Sequence, residues 1–243
     1  MKRSLTTPFI LFILLSVIPF AHAGLLDKVK EYRQELKKSG SEPDLDTVIA
    51  GLKEALSIGT VNAVTSVSKE NGYFGNPRIR IPLPEKLEKT AKLLSKLGMQ
   101  KQVDDFLLSM NRAAEKAAPR AKELFIGAVK QMTIQDARTI LKGTDTAATD
   151  YLKAKTSQQL YDAFRPLIAS AMNEVGVTRS YKRMMDKAKA TRLVKPEDVD
   201  LDHHVANKAL EGLFHMVGEE EKKIRKDPAA RVTDLLKKVF ANQ

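Results

Sequence analysis

Apolar residues recur every three or four positions along most of this chain, and that spacing limits the fold more than any other feature. It collects apolar side chains on one face of an α-helix. Within residues 156–175 it produces a continuous stripe of Leu160, Phe164, Leu167, Ile168, Met172 and Val175. We therefore predict an all-α protein, with a single multi-helix domain of about nine or ten helices over residues 44–243.

Glycine, proline and capping residues indicate where these helices begin and end. Thr133 with Asp136 resembles a capping box, and Thr156 is interpreted as the cap of the helix that follows it. Pro119 lacks an amide donor, so it must end or kink the helix that contains it. The predicted helices cover residues 25–38, 44–70, 84–97, 100–132, 133–143, 156–175, 178–189, 202–226 and 228–240.

The first 23 residues have the pattern of a cleaved signal peptide. Lys2 and Arg3 precede a mostly apolar run over residues 8–20, and small residues flank His22. We predict cleavage after Ala23, followed by a short leading helix and linker over residues 24–43. The apolar run is short for a bilayer span, so we expect no integral membrane segment after cleavage. An uncleaved N-terminal anchor is the alternative.

The chain contains no cysteine. A lipoprotein anchor, a disulfide, a thiolate nucleophile and a thiolate metal site are therefore excluded. Lys and Arg number 41 against 30 Asp and Glu, a net charge of +11. Removal of Lys2 and Arg3 leaves 39 against 30, or +9. We expect a periplasmic protein, for which nucleic acid is not the normal partner. The charge either serves solubility or attracts an anionic envelope surface.

Metal and cofactor motifs are not apparent. Beyond the signal peptide the histidines are His203, His204 and His215, and the last two lie about 16 Å apart on one helix face. His215 with Glu219 supplies only two ligands, short of the three or four that a zinc site needs. There is no glycine-rich phosphate loop. We predict no metal site and no cofactor. The run from Glu219 to Lys223 is interpreted as a solvated helix face.

Two polar clusters are candidate sites. GTDTAATDY, residues 143–151, surrounds a predicted helix start with Asp145 and Asp150. It either caps that helix or forms an anion- or hydroxyl-binding corner at the free amides. The second cluster is Asn111 with Arg112. The Arg112 side chain is either at the surface or half-buried and paired with a carboxylate such as Glu115.

The segment NGYFGNPRIRIPLPE, residues 71–85, breaks the helical pattern. Arg78 and Arg80 alternate with isoleucines, so an extended backbone places arginines on one side and isoleucines on the other. An unpaired strand leaves its amides without partners. We therefore predict that residues 78–81 pair with residues 198–201 in a short two-stranded ribbon, with the arginines facing Asp198 and Asp200. The adjacent aromatics Tyr73 and Phe74 either pack as a connector or contact a ligand.

Four stretches together resemble domain of unknown function family 4197. They are GYFGNPRIRIPLPE, LSMNRAAEKAAPRAKELF, GTDTAATDYLKAKT and EEEKKIRKDPAARVTDLLKKVF. The resemblance extends from about Asp46 to Phe240, nearly the whole chain after the signal peptide. It implies an exported, helical bacterial protein and supplies no activity or catalytic residues.

Three functions remain open. Because no catalytic constellation is visible, we favour an exported, non-catalytic binding or scaffold protein. The alternatives are an enzyme that uses carboxylates and arginine of the 111–151 region, and a peripheral protein bound to an anionic envelope surface. The partner is expected to be an anionic envelope component or another protein. The candidate binding residues are Tyr73, Phe74, Asn76, Arg78, Arg80, Arg112, Asp145 and Asp150.

Overall fold

The computed structural model describes residues 45–191, 199–227 and 233. All regular structure in these residues is helical, which confirms the all-α prediction. In chain order the elements are α1 (Leu45–Val67), α2 (Glu85–Lys96), α3 (Gln100–Ala117), a 3₁₀ turn η1 (Ala118–Arg120), α4 (Ala121–Lys130), α5 (Ile134–Leu141), α6 (Ala147–Glu174), α7 (Val177–Ala190) and α8 (Leu201–Lys226). None of the described helices is both long and apolar enough to cross a bilayer.

The expected total of nine or ten helices is not confirmed, because the predicted helices at 25–38 and 228–240 lie outside the described residues. The predicted helix start at Thr156 is wrong, since α6 runs through it without interruption. The Thr156 hydroxyl donates to the Leu152 carbonyl, 2.6 Å away, inside the same helix. A threonine can satisfy its side chain in this way without capping anything.

Two other predicted helix boundaries, a break at Pro119 and a start at Thr133, are confirmed. Thr133 and Asp136 form a capping box at the start of α5. Pro119 lies in η1, so the helix is broken there and continues as α4. Gly98 has a φ of 75°, the left-handed conformation that glycine adopts without strain, directly after α2.

The core is organised around α8, which packs chiefly on α6 and α1 and also contacts α3. The α3 helix in turn packs on α6 and α7. Large side chains from α3, α4, α6 and α8 and from the segment between α1 and α2 are fully buried: Tyr73, Phe106, Phe125, Phe164, Leu152 and Leu213. This arrangement leaves the segment between α1 and α2 lying across α3 and α8.

Candidate functional site

The connector over residues 71–84 is held by a buried tyrosine. Tyr73 is fully buried, and its hydroxyl donates to the Ala209 carbonyl of α8 at 2.7 Å. Burial, reinforced by the nearby Glu115 carboxylate, raises the pKa of Tyr73 far above its usual value. The packed-connector interpretation is therefore correct for Tyr73, whereas Phe74 is only half-buried.

Glu115 of α3 anchors the same connector through its main chain. Its Oε1 accepts the backbone N–H groups of Tyr73 and Phe74, each at 3.1 Å. Its Oε2 accepts from Arg112 at 2.6 Å, so the half-buried, paired alternative for Arg112 is the correct one of the two. Arg112 also donates to Glu70 and Asn71. Glu115 thus supplies the connector with acceptors that a neighbouring strand otherwise provides.

Asn111 lies one turn before Glu115 on α3. Its side-chain amide makes the hydrogen bonds to Ile81 of the connector that a neighbouring strand would otherwise make. Its Oδ1 accepts from the Ile81 N–H at 2.8 Å, and its Nδ2 donates to the Ile81 carbonyl at 3.0 Å. The next amides toward the amino end, those of Ile79 and Arg80, donate to the Asn76 carbonyl. These bonds satisfy the amides that were expected to require a second strand.

The predicted ribbon is accordingly wrong, since the described residues contain no strand. Asp200 caps α8 through the His203 N–H and pairs with Arg165, while Asp198 lies outside the described residues. Arg78 pairs instead with Glu219 at 3.4 Å. The alternation itself is correct: the arginines at 78 and 80 are exposed, whereas Ile79 and Ile81 are buried.

The connector packs closely against α8 at Gly212. A Cβ placed there would lie 2.9 Å from the Tyr73 ring and 3.0 Å from the Ile79 Cβ. Glycine therefore permits the close approach of the connector to α8. Asn76 completes the connector by accepting the Arg78 N–H on its side chain, at 3.1 Å, and its role here is to shape the turn.

The solvent side of this contact is a groove of about 270 Å³ between the connector and α8, which we name the basic groove. Its lining consists of Arg78, Ile79, Arg80, Pro82, Lys208, Glu211, Gly212 and His215. The Arg80 guanidinium lies 3.9 Å from the centre of the Phe74 ring, a cation–π contact. Arg80 makes no ion pair with a carboxylate of the described residues.

In the other predicted cluster, residues 143–151, a buried carboxylate of the protein itself binds the free amides at the helix start. The Glu221 carboxylate of α8 accepts the N–H groups of Ala148 and Thr149 at 3.0 and 2.8 Å, at the start of α6. Arg225 pairs with Glu221 and donates to the Ile140 carbonyl. Glu221 therefore occupies the anion position that we had considered for a ligand. Its burial also shows that the solvated-face interpretation of residues 219–223 is wrong at this position.

The remaining candidates do not join a common site. Asp145 is exposed and pairs with Lys226 at the end of α8, and this hydrogen-bonded cation lowers the pKa of Asp145. Asp150 is exposed on the first turn of α6. Arg112 pairs with Glu70 and Glu115 instead. Within the described residues, neither a hydrogen bond nor an ion pair links Arg112 to either aspartate.

The histidines lie along the connector side of α8. His204 Nε2 lies 2.8 Å from the Pro82 carbonyl, which can only accept, so this nitrogen is the donor. His203 Nδ1 lies 2.7 Å from the Tyr161 hydroxyl. His215 lines the basic groove. No group of three or more metal-ligating side chains occurs in residues 45–191 and 199–227.

The model of the family described as "Protein of unknown function (DUF4197)" matches residues 42–241 of this chain. The chain belongs to this family. Its description assigns no activity, and the matched span includes the four quoted stretches without giving any of them a role. Comparison with curated proteins and with solved structures gives no match.

Sequence reasoning missed three parts of the site. Lys208 and Glu211 reach the basic groove only because α8 runs beneath the connector, a tertiary contact without a local signal. The role of Gly212 also depends on that contact. The burial of Glu221 has a weak local signal, because the apolar residues Val217 and Ile224 lie four before and three after it on the same helix face.

Proposed function

We propose that this protein is an exported, non-catalytic binding protein of the periplasm, and that its basic groove receives an anionic group of the partner. The ligand group is a carboxylate or a phosphate. The observation that carries the proposal is Arg80, an exposed arginine held on an aromatic ring without a carboxylate partner in the described residues.

The Arg80 side chain is already ordered, so it loses little conformational entropy when it binds an anion. The Phe74 ring supports one face of the guanidinium, while the Phe74 N–H is itself fixed by Glu115. Stacking leaves the N–H donors at the guanidinium edge free to form a bidentate contact with a carboxylate or phosphate. A side chain that is already ordered loses less rotamer entropy when the ligand binds.

The charges around Arg80 favour an anion. Arg78 and Lys208 also line the basic groove, and Glu211 is the lining carboxylate, so the formal charge is 3 − 1 = +2. Lys208 is paired with Glu211 at 2.7 Å. Arg78 is paired with Glu219 at the longer distance of 3.4 Å and remains largely exposed. An incoming anion therefore meets one unpaired arginine and two paired cations, Lys208 with exposed Glu211 and Arg78 with half-buried Glu219.

The buried polar groups support a binding role over a catalytic one. Glu115 and Glu221 are each saturated by main-chain N–H groups and an arginine. The cavity beside Glu221 and Arg225 measures about 20 Å³, the space of a single water. These carboxylates consequently hold the connector and the start of α6 in place.

Calorimetric titration with hexaglutamate and, separately, with inorganic tripolyphosphate tests the proposal and distinguishes carboxylate from phosphate ligands. Arg80→Gln combined with Lys208→Gln removes two groove cations. We expect at least a tenfold loss of affinity, about 1.4 kcal/mol, for whichever probe is preferred. Binding should also weaken as salt is raised.

The matched control is Lys101→Gln combined with Arg120→Gln, which removes the same charge from other exposed positions. This control should bind both probes as the unmodified protein does. Equal losses in the two double variants would show that the probes sense net charge only, and the proposed groove would then be rejected.

Export is a separate part of the proposal and has its own test. It rests on the N-terminal pattern up to Ala23. Cell fractionation followed by mass spectrometry of the intact protein should find a periplasmic chain that begins at Gly24. A cytoplasmic protein that retains Met1 would contradict export without affecting the groove.

A further inference from the structure

The basic groove continues into a second groove along α8. This adjoining groove, of about 480 Å³, shares Pro82 and Lys208 with the basic groove. Its lining consists of Pro82, Leu83, Pro84, Glu85, Lys86, Glu88, Val199, Asp200, His203, His204 and Lys208. Together the two grooves follow α8 from Asp200 to His215, about 23 Å at 1.5 Å per residue.

The two grooves carry opposite charge. The lining of the adjoining groove, which also includes Lys208, has Glu85, Glu88 and Asp200 against Lys86 and Lys208, a formal charge of 2 − 3 = −1. Glu88 and Asp200 form surface pairs with Lys92 and Arg165, so Glu85 is the carboxylate most open to a new partner. The basic groove carries +2. A ligand that carries negative charge throughout is therefore attracted at one end and repelled at the other.

Apolar residues of the connector separate the two charged ends. Pro82, Leu83 and Pro84 lie between Arg80 and Glu85 in the chain, and all three line the adjoining groove. The Pro82 carbonyl is occupied by His204, which fixes the connector at the junction of the two grooves. An apolar centre flanked by opposite charges is complementary to a ligand with the reverse order of charges.

We propose that the partner is an extended polypeptide segment with acidic residues at one end, apolar residues in the middle and basic residues at the other end. This inference rests on the proposed function, since the acidic end occupies the basic groove. A polypeptide carries both charges and apolar side chains in one chain, and about seven extended residues span 23 Å. The acidic end meets Arg80 and the basic end meets Glu85 and Glu88.

Fluorescence anisotropy with labelled synthetic peptides tests this assignment. One peptide of about seven residues has two glutamates at its first end, a Leu-Pro-Val centre and two lysines at its last end; a second has the reverse order. A third has the same composition with alternating charges. We expect one of the two segregated peptides to bind at least tenfold more tightly than the alternating one.

Variants of the protein then locate the basic end of the peptide. Glu85→Gln with Glu88→Gln should weaken binding of the segregated peptide at least fivefold and leave hexaglutamate binding unchanged or tighter. Both glutamates are exposed, and circular dichroism of the variant checks that the helices persist. Glu123→Gln with Asp162→Gln, exposed carboxylates outside both grooves, is the matched control.

The outcomes separate this inference from the proposed function. If segregated and alternating peptides bind equally while hexaglutamate still requires Arg80 and Lys208, the polypeptide assignment fails and the anion groove stands. If neither hexaglutamate nor tripolyphosphate binding requires those cations, both proposals fail. If no peptide binds, the polypeptide assignment is likewise overturned.

Discussion

Replacement of Glu115 by alanine should detach the amino-terminal part of the connector from α3, while Asn111 still holds Ile81. The change deletes the acceptor of two backbone N–H groups, those of Tyr73 and Phe74. Hydrogen bonds to a charged group contribute about 1.5–3 kcal/mol each. Water can replace part of the bond at half-buried Phe74, and Arg112 keeps Glu70 and Asn71 as partners. We therefore expect the free energy of unfolding to fall by about 3–5 kcal/mol.

Urea denaturation followed by circular dichroism measures this loss. Glu88→Ala is the matched control, because it removes an exposed carboxylate from an i,i+4 pair with Lys92, and such pairs contribute about 0.3–0.5 kcal/mol. Glu115→Gln should be intermediate, since the amide oxygen still accepts from Tyr73 while the neutral amide pairs poorly with Arg112. A loss for Glu115→Ala no larger than that of Glu88→Ala would refute the anchoring role.

Three further predictions concern the same framework. Gly212→Ala should lower the free energy of unfolding by about 1–3 kcal/mol through overpacking against Tyr73 and Ile79, and an unchanged urea midpoint would contradict the close approach. Glu221→Gln should cost about 3–5 kcal/mol because a buried pair is broken; a loss below about 1 kcal/mol would indicate that water caps α6 equally well. Because the pKa of Tyr73 is raised, the folded protein retains the phenolic proton that the unfolded chain releases above about pH 10. Stability should therefore fall with pH above that value, and Tyr73→Phe should show a smaller alkaline decrease; parallel curves would contradict burial of the phenol.

The helical architecture was predictable because it depends on local signals. The break at Pro119 and the capping box at Thr133 act within a few residues of the signal itself. Thr156 shows the limit of such signals, since a threonine followed by an apolar stripe occurs equally inside a long helix. Tertiary packing decides whether such a threonine caps a helix or lies inside one, and a local sequence pattern does not reveal that packing.

The connector shows the same limit at the candidate site. The outward direction of Arg78 and Arg80 follows from the alternation with isoleucine and was predictable. The partner of the extended segment was not, because Asn111 and Glu115 are remote in sequence and imitate a strand with side-chain atoms. Buried backbone amides need hydrogen-bond acceptors, but this rule does not say whether the acceptor is a strand or a side chain.

Methyl NMR of isoleucine-labelled protein titrated with hexaglutamate tests the basic groove most directly, because lysine and arginine are scattered over the chain and bulk affinity does not locate the ligand. Ile79 lines the groove, whereas Ile140 and Ile168 are buried away from it. We predict a saturable shift of the Ile79 methyl resonance that is lost in Arg80→Gln, with little change at the other two. Small shifts spread over all three, or an unchanged Ile79 signal at saturating peptide, would contradict binding at this groove.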